Sequence, residues 1–201
     1  MGVVIEKLQE ILACRCVDIS MGDRAYLDEK NNENALRPGD LKKVVMSGIT
    51  DHVLLINVAG SVYARRGGLR VNRSYAPVFK DATERVGLLK SCDAVLIRET
   101  DNLKCSLVFI ELKSRDVSGA STQLKSTKCF FDYCRSILSH FYEIDADFED
   151  ATCIVFHTRR GLDKKATGYR GPSKPSQDFG SPAKRAVTDG EEVNVNELFR
   201  R

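Results

Sequence analysis

The sequence predicts an α/β protein in which a central mixed β-sheet is flanked by helices. Two short apolar runs rich in β-branched residues, HVLLINV (52–58) and TCIVFHT (152–158), are typical of buried strands. Residues 91–116, SCDAVLIRETDNLKCSLVFIELKSRD, contain two apolar runs around a polar turn, which predicts a hairpin. Together with two helical patterns, the order helix, strand, hairpin, helix, strand favours a mixed sheet with helices packed on it.

The first half of the chain alternates between regular patterns and polar segments. Residues 3–13 repeat apolar positions at helical spacing, which predicts a first helix. Residues 20–40 are polar and rich in Asn, Asp and Gly, which is typical of a loop. Residues 64–73 join two glycines to four arginines and are interpreted as an exposed turn, and residues 80–90 as a short helix.

The second half is dominated by one long helical pattern, from Ser121 to about Phe141. Its expected buried face recurs at helical spacing and comprises Leu124, Thr127, Phe131, Cys134, Leu138 and Phe141. After the strand at 152–158, the basic segment 159–190, rich in Gly, Pro and Ser, is interpreted as loop. The alternating stretch AVTDGEEVNVNELF is interpreted as an edge hairpin.

Length and composition are those of one folded domain. The 201 residues, 42% hydrophobic and 29% charged, can bury a sizeable core and exclude a disordered chain. We therefore predict a single domain over 1–201, with a core at about 50–158 and a basic, loop-rich C-terminal extension at about 159–201. The net charge of +3 permits a nucleic-acid partner without requiring one.

The seven cysteines and the lengths of the apolar runs indicate in which cellular compartment the protein is expected. The cysteines are odd in number, irregularly spaced and contain no CxxC pair, which argues against a structural zinc site. Reduced, buried thiols in a cytoplasmic protein are the expected interpretation, and a redox or nucleophilic cysteine is the alternative. No apolar run is long enough to cross a bilayer, and the start does not resemble a secretion signal, so no membrane partner is expected.

Charged residues stand at the ends of the predicted hairpin strands. If the turn centres near Asn102, Asp93 faces Glu111 across the strand pair, with Cβ atoms roughly 4.5–5.5 Å apart. Lys113 lies two residues beyond Glu111 and so shares its face. A register shifted by one residue would move Asp93 to the other face, so the cluster depends on the register.

This cluster of two carboxylates and one ammonium has two interpretations. Close carboxylates repel each other, and a divalent cation relieves that repulsion better than Lys113 alone. Oxygen ligands with room for water suit Mg²⁺, which can polarise a phosphate and lower the pKa of a water. The first interpretation is therefore a hydrolytic metal site in which Lys113 orients the water or stabilises developing charge. The second is a surface ion-pair cluster at the end of the sheet.

The pattern of Asp93, an apolar hairpin, Glu111-Leu112-Lys113, and Gln123 on the next helix resembles the PD-(D/E)xK nuclease superfamily. The resemblance implies a restriction-endonuclease-like core of αβββαβ order. It implies that Asp93, Glu111 and the Leu112 carbonyl bind Mg²⁺, with Mn²⁺ as a substitute. Lys113 would assist the attacking water, and Gln123 would support Lys113.

The resemblance covers residues 91–135 well and the rest of the chain only by element order, and it departs from the family in two places. Cys92 stands where the motif name has Pro, and Thr127 stands where the Gln-xxx-Tyr motif of the RecB-like branch has Tyr. Family members often add an acid from an earlier helix, and this sequence leaves that choice open, the candidates being Glu6, Glu10 and Glu84.

The leading functional hypothesis is thus a Mg²⁺-dependent nuclease that hydrolyses phosphodiester bonds in nucleic acid, with DNA the expected substrate and restriction or defence the role implied by resemblance. A non-catalytic nucleic-acid-binding or assembly subunit of the same fold is the alternative, and a protein-interaction module is a third. A protein partner or a homodimer is compatible with the first two. The expected phosphate contacts are Arg65 and Arg66 beside the two glycines and Lys125 on the long helix, although each could equally lie on a solvated surface.

Overall fold

The computed structural model describes an α/β structure with mixed sheets and few helices over residues 2–12, 23–28, 41–58, 63–66, 69–72, 90–100, 102–114, 117–158 and 174–199. Within these residues, no helix combines the length and apolar composition needed to cross a bilayer. The helices are α1 (Val3–Ile11), α2 (Ala120–Tyr142) and α3 (Val195–Leu198). The strands are β1 (Arg24–Asp28), β2 (Lys43–Ser47), β3 (Val53–Asn57), β4 (Tyr63–Arg66), β5 (Leu69–Asn72), β6 (Ala94–Glu99), β7 (Lys104–Lys113), β8 (Asp147–Thr158), β9 (Ala183–Val187) and β10 (Glu192–Asn194).

A five-stranded mixed sheet forms the centre, with strand order β3-β6-β7-β8-β9. The first three strands are antiparallel neighbours, whereas β8 runs parallel to both β7 and β9. The parallel pair β7–β8 requires a crossover, and α2 supplies it. β4 and β5 pair only with each other among the described strands.

One face of the central sheet, here called the helical face, is covered by α1 and α2. Side chains of alternate residues, such as Val95 and Phe109, point to this face because the side-chain period of a strand is two. Phe109 meets Phe131 of α2 edge-on, with ring centroids 5.6 Å apart. The buried positions of α2 that pack there are Ala120, Leu124, Ser126, Thr127, Phe131, Cys134 and Leu138.

The opposite face is covered by a second sheet of order β1-β2-β10, together with α3. The intervening residues of the central strands, such as Leu96 and Val108, pack here against Val44, Met46 and Leu198. β10 joins β2 in parallel and therefore ties the C-terminal part of the chain to its first half. The central sheet is thus buried on both sides, which accounts for its continuous apolar strands.

Several predicted elements are confirmed. The strand at 52–58 corresponds to β3, the hairpin to β6 and β7, and the strand at 152–158 to the second half of β8. The long helix extends from Ala120 to Tyr142, close to its predicted bounds.

Other predictions are wrong. β1 lies within the segment 20–40 and β9 within the segment 159–190, both of which the composition predicts as loop, and 64–73 contains most of the β4–β5 hairpin. β9 and β10 do not form a hairpin, because β9 completes the central sheet and β10 completes the second sheet. Phe141, expected on the buried face of α2, is 78% exposed near the end of the helix, beyond Leu138, the last buried residue of α2. The expected short helix at 80–90 lies almost wholly outside the described residues.

A buried acid at the end of β6 holds the start of α1. The Glu99 carboxylate accepts hydrogen bonds from the backbone N–H groups of Val4 and Ile5, at 3.2 and 2.9 Å. These amides belong to the first turn of α1 and have no partner inside the helix. A side chain at Gly2 would overlap the Glu99 carboxylate, which explains the glycine that precedes the helix.

We expect Glu99→Ala to lower the free energy of unfolding by about 1–3 kcal/mol, because it leaves two buried N–H groups without acceptors. Urea unfolding followed by circular dichroism measures the change. Glu192→Ala is the matched control, since it removes only an exposed ion pair with Arg24 at 3.5 Å and is expected to change stability by less than about 1 kcal/mol. Equal stability of Glu99→Ala and the control would contradict the proposed anchoring of α1.

Candidate functional site

The hairpin has the register that gathers the charged residues. Val95 pairs with Phe109 and Ile97 with Leu107, as the sequence predicts. The turn is made by Asn102 and Leu103, both with positive φ. The ladder ends where Ala94 pairs with Ile110, and Asp93 follows directly, its amide donating to the Ile110 carbonyl at 3.1 Å.

Glu111 is a buried carboxylate on the helical face. Its side chain is 1% exposed, and Oε1 lies 2.6 Å from Nζ of Lys113. Apart from this ion pair, neither carboxylate oxygen accepts a well-aligned hydrogen bond from the described residues. Burial, and next the nearby Asp93 carboxylate, raise the pKa of Glu111 to about 8, while Lys113 opposes the shift only in part.

Gln123 connects Lys113 to the segment that carries Asp93. The Lys113 ammonium donates to Gln123 Oε1 at 2.9 Å, and Gln123 Nε2 donates to the Ser91 carbonyl at 3.1 Å. Gln123 lies in the first turn of α2, so the helix that crosses over the sheet also orients the lysine. The four residues expected to form the site, Asp93, Glu111, Lys113 and Gln123, are therefore brought together.

Thr127 is a supporting residue that the sequence interpretation missed. Its hydroxyl accepts the Cys92 N–H at 2.8 Å and donates to the Gln123 carbonyl at 3.0 Å. The spacing of four from Gln123 places both residues on one helix face and could have revealed the pair. The two side chains together hold the backbone from Ser91 to Cys92, immediately before Asp93.

The backbone of Leu112 also faces Asp93. The Leu112 N–H donates to Asp93 Oδ2 at 2.7 Å. In a strand, the N–H and C=O of one residue point toward the same neighbouring strand. The Leu112 carbonyl therefore points to the side of β7 on which Asp93 lies, as expected for a backbone ligand.

His157 adds an imidazole to the same face. It pairs with Lys113 in the parallel register of β7 and β8, is 6% exposed, and has Nδ1 3.0 Å from the Thr158 carbonyl. This hydrogen bond to the backbone is typical of a structural histidine. Its position beside Lys113 was not predicted, because it follows from the strand register.

The other expected residues contribute less. Glu6 and Glu10 are exposed on α1, and Glu10 is bound by Lys7 at 2.6 Å. Glu84 lies outside the described residues, as do the side chains of Arg65 and Arg66 on β4, so their roles stay predictions. Lys125 is exposed on α2, in the turn that follows Gln123.

The donor set fits a hard cation with few protein ligands. Across the described ranges, no group of three or more His, Cys, Asp or Glu side chains converges. A cation here would be held by Asp93, Glu111, the Leu112 carbonyl and water, and Mg²⁺ commonly retains several waters. The buried Glu111 carboxylate, already paired with Lys113, would gain a second cationic partner.

Comparison of the chain with known proteins gives no match among family models, curated proteins or solved structures. The groups present define the chemistry that is possible. Two carboxylates can share a cation, an ammonium fixed by an amide can orient a nucleophile, and the cluster lies at a sheet end on rigid elements.

Glu111→Gln tests the electrostatics without a metal. Because the folded-state pKa of about 8 exceeds the ordinary 4.5, the stability that Glu111 contributes is complete below about pH 4.5 and is lost as the pH rises through about 8. Between these values we expect the variant to gain on the wild type by about 1.4 kcal/mol per pH unit, because the folded protein holds a proton that the unfolded chain has released. Urea unfolding in EDTA at several pH values measures this difference, with Glu192→Gln as the exposed control. A difference that stays constant across the window would contradict the prediction.

Proposed function

We propose that this chain is a Mg²⁺-dependent nuclease that hydrolyses phosphodiester bonds in nucleic acid, with DNA as the expected substrate. The observation that carries the proposal is the pairing of buried Glu111 with Lys113 at 2.6 Å, beside Asp93 at the end of the hairpin. A plain surface ion pair would leave both groups in water, where such pairs contribute little. Here one carboxylate is buried with its proton affinity raised, which is typical of functional sites.

The order of elements supports the same proposal. Among the described elements that build or cover the central sheet up to β8, the chain order is α1, β3, β6, β7, α2, β8. Without the separate β4–β5 pair, which lies between β3 and β6 in the chain, this order is compatible with the αβββαβ core that the resemblance to the PD-(D/E)xK superfamily implies. The strands β1 and β2 fall between α1 and β3 in the chain but belong to the second sheet.

In the proposed mechanism, Asp93, Glu111 and the Leu112 carbonyl would hold the cation. A bound Mg²⁺ would polarise the phosphate and lower the pKa of a nearby water. The Lys113 ammonium orients the attacking water and stabilises the charge that develops on the phosphate oxygens. Gln123 fixes the direction of that ammonium, and Thr127 fixes the backbone that leads to Asp93. The water oxygen forms the new bond to phosphorus and releases a proton to solvent, while the bond to the leaving oxygen breaks and that oxygen takes up a proton from solvent.

We expect Asp93→Ala, Glu111→Ala and Lys113→Ala each to reduce Mg²⁺-dependent cleavage by about 100-fold or more, since each removes a charge that the transition state requires. Cleavage of labelled single-stranded and duplex DNA, resolved by gel electrophoresis, measures the loss. Glu192→Ala, at an exposed position on β10, should retain full activity. Undiminished cleavage by all three site variants would end the proposal.

Metal binding is predicted separately. Isothermal calorimetry with Mg²⁺ or Mn²⁺ should show binding to the wild type and a clear loss of affinity in Asp93→Asn, because the replaced carboxylate is a proposed ligand. Glu192→Gln should bind as the wild type does. Nucleic-acid binding without any metal binding would instead favour the non-catalytic subunit.

A further inference from the structure

A row of cations leads away from the proposed site along α2. Lys125, Lys128 and Arg135 are spaced by three and seven residues, so they lie on one side of the helix. The row begins just after Gln123, which holds Lys113, and spans about 15 Å of helix axis between Lys125 and Arg135. It therefore extends from the proposed site toward the other end of the sheet.

A groove runs beside the far half of this row. Its volume is about 600 Å³, and it lies between α2, the early part of β8 and the segment that precedes β9. The residues that line it include Lys128, Asp132, Arg135, Phe148, Gln177 and Phe179. We call it the α2 groove.

Near the α2 groove one acid is paired with a cation, and two of the cations have no ion pair with a described residue. Asp132 accepts from Lys128 at 2.9 Å, and Asp178 Oδ1 accepts the Gly180 N–H at 2.8 Å. Lys125 and Arg135 are both exposed, and no ion pair joins either of them to a described residue. The positive charge of these two side chains is therefore available to an anionic ligand.

The surroundings of these cations include one acid and one further lysine. Lys125 Nζ lies 3.6 Å, and Asp178 Oδ1 3.0 Å, from the position that a Cβ at Gly180 would occupy, so this acid lies near Lys125. Lys184 on β9 is exposed and pairs with Val155, which in turn pairs with Glu111. Paired residues share a face of the sheet, so Lys184 lies on the helical face, two strands from Glu111.

We propose that the α2 groove and the cations beside it bind the phosphodiester backbone of one nucleic-acid strand, with Lys125 and Arg135 as phosphate contacts and Lys184 at the site end. This inference rests on the proposed nuclease function, because it specifies how that substrate is held. At 3.4 Å of axial rise per phosphate in a helical strand, a span of about 15 Å corresponds to roughly four or five phosphates. Lysine and arginine contacts of this kind bind backbone without reading sequence.

The test measures binding in EDTA, so that cleavage does not intervene. Fluorescence anisotropy of labelled single-stranded DNA is compared for wild type, the double variant Lys125→Gln/Arg135→Gln, and Lys184→Gln over about 50–200 mM salt. The matched control is Lys42→Gln, an exposed lysine next to β2, in the sheet on the opposite face.

We expect the double variant to bind about tenfold or more weakly and its salt dependence to become shallower by about 1.4 in the log–log slope, at roughly 0.7 for each single-strand contact. Lys184→Gln should show about half of that slope change, and Lys42→Gln none. A double variant that binds with wild-type affinity and slope would overturn the inference. Polyglutamate that displaces the DNA as effectively as unlabelled DNA of equal charge would also overturn it, because the groove would then accept any acidic polymer.

The binding measurement and the cleavage assay together separate this inference from the proposed activity. Binding that depends on Lys125 and Arg135 in a chain that cleaves nothing would uphold the inference and reject the nuclease. Cleavage by the wild type together with unaltered binding by the double variant would uphold the nuclease and reject the inference.

Discussion

The pairing register of β6 with β7 is the constraint on which the site depends. Because side chains alternate between the two faces of a strand, a slip of one residue would send Asp93 to the face opposite Glu111. The turn at Asn102 and Leu103 and the two buried faces of the sheet both specify the observed pairing. The hydrophobic pattern that builds the core therefore also brings two carboxylates together at the end of the sheet.

At that end of the sheet, the described residues place two carboxylates beside one lysine, so the negative charge is only partly compensated. Glu111 is removed from water and lies near a second carboxylate, and one lysine compensates only part of this. Folding tolerates the arrangement because strong packing on both faces of the sheet supports it, in the apolar clusters around Phe109 and around Leu96. A local destabilisation that packing elsewhere in the fold offsets is common at ligand-binding sites.

The sequence predicted the parts that depend on local periodicity and missed those that depend on distant pairing. The hairpin, α2 and the four residues Asp93, Glu111, Lys113 and Gln123 follow from spacing of two or of three to four, and the structure has them where expected. β10 lies in the alternating stretch predicted as an edge hairpin, but it pairs with β2, from which it is separated by most of the chain, and a linear pattern does not contain that pairing. Thr127 and His157 likewise gain their places from packing between elements, which a linear pattern does not contain.

β6 has an acid at each extremity: Asp93 just before it faces the hairpin partner, and Glu99 at its last residue grips the first turn of α1. A displacement of this strand along its own axis would disturb both attachments at once, about 20 Å apart at the usual rise per residue. Side-chain hydrogen bonds thus hold β6 in place at both of its ends. A substitution near α1 that shifts β6 would therefore also displace Asp93 at the other end of the strand, although it contacts no residue there.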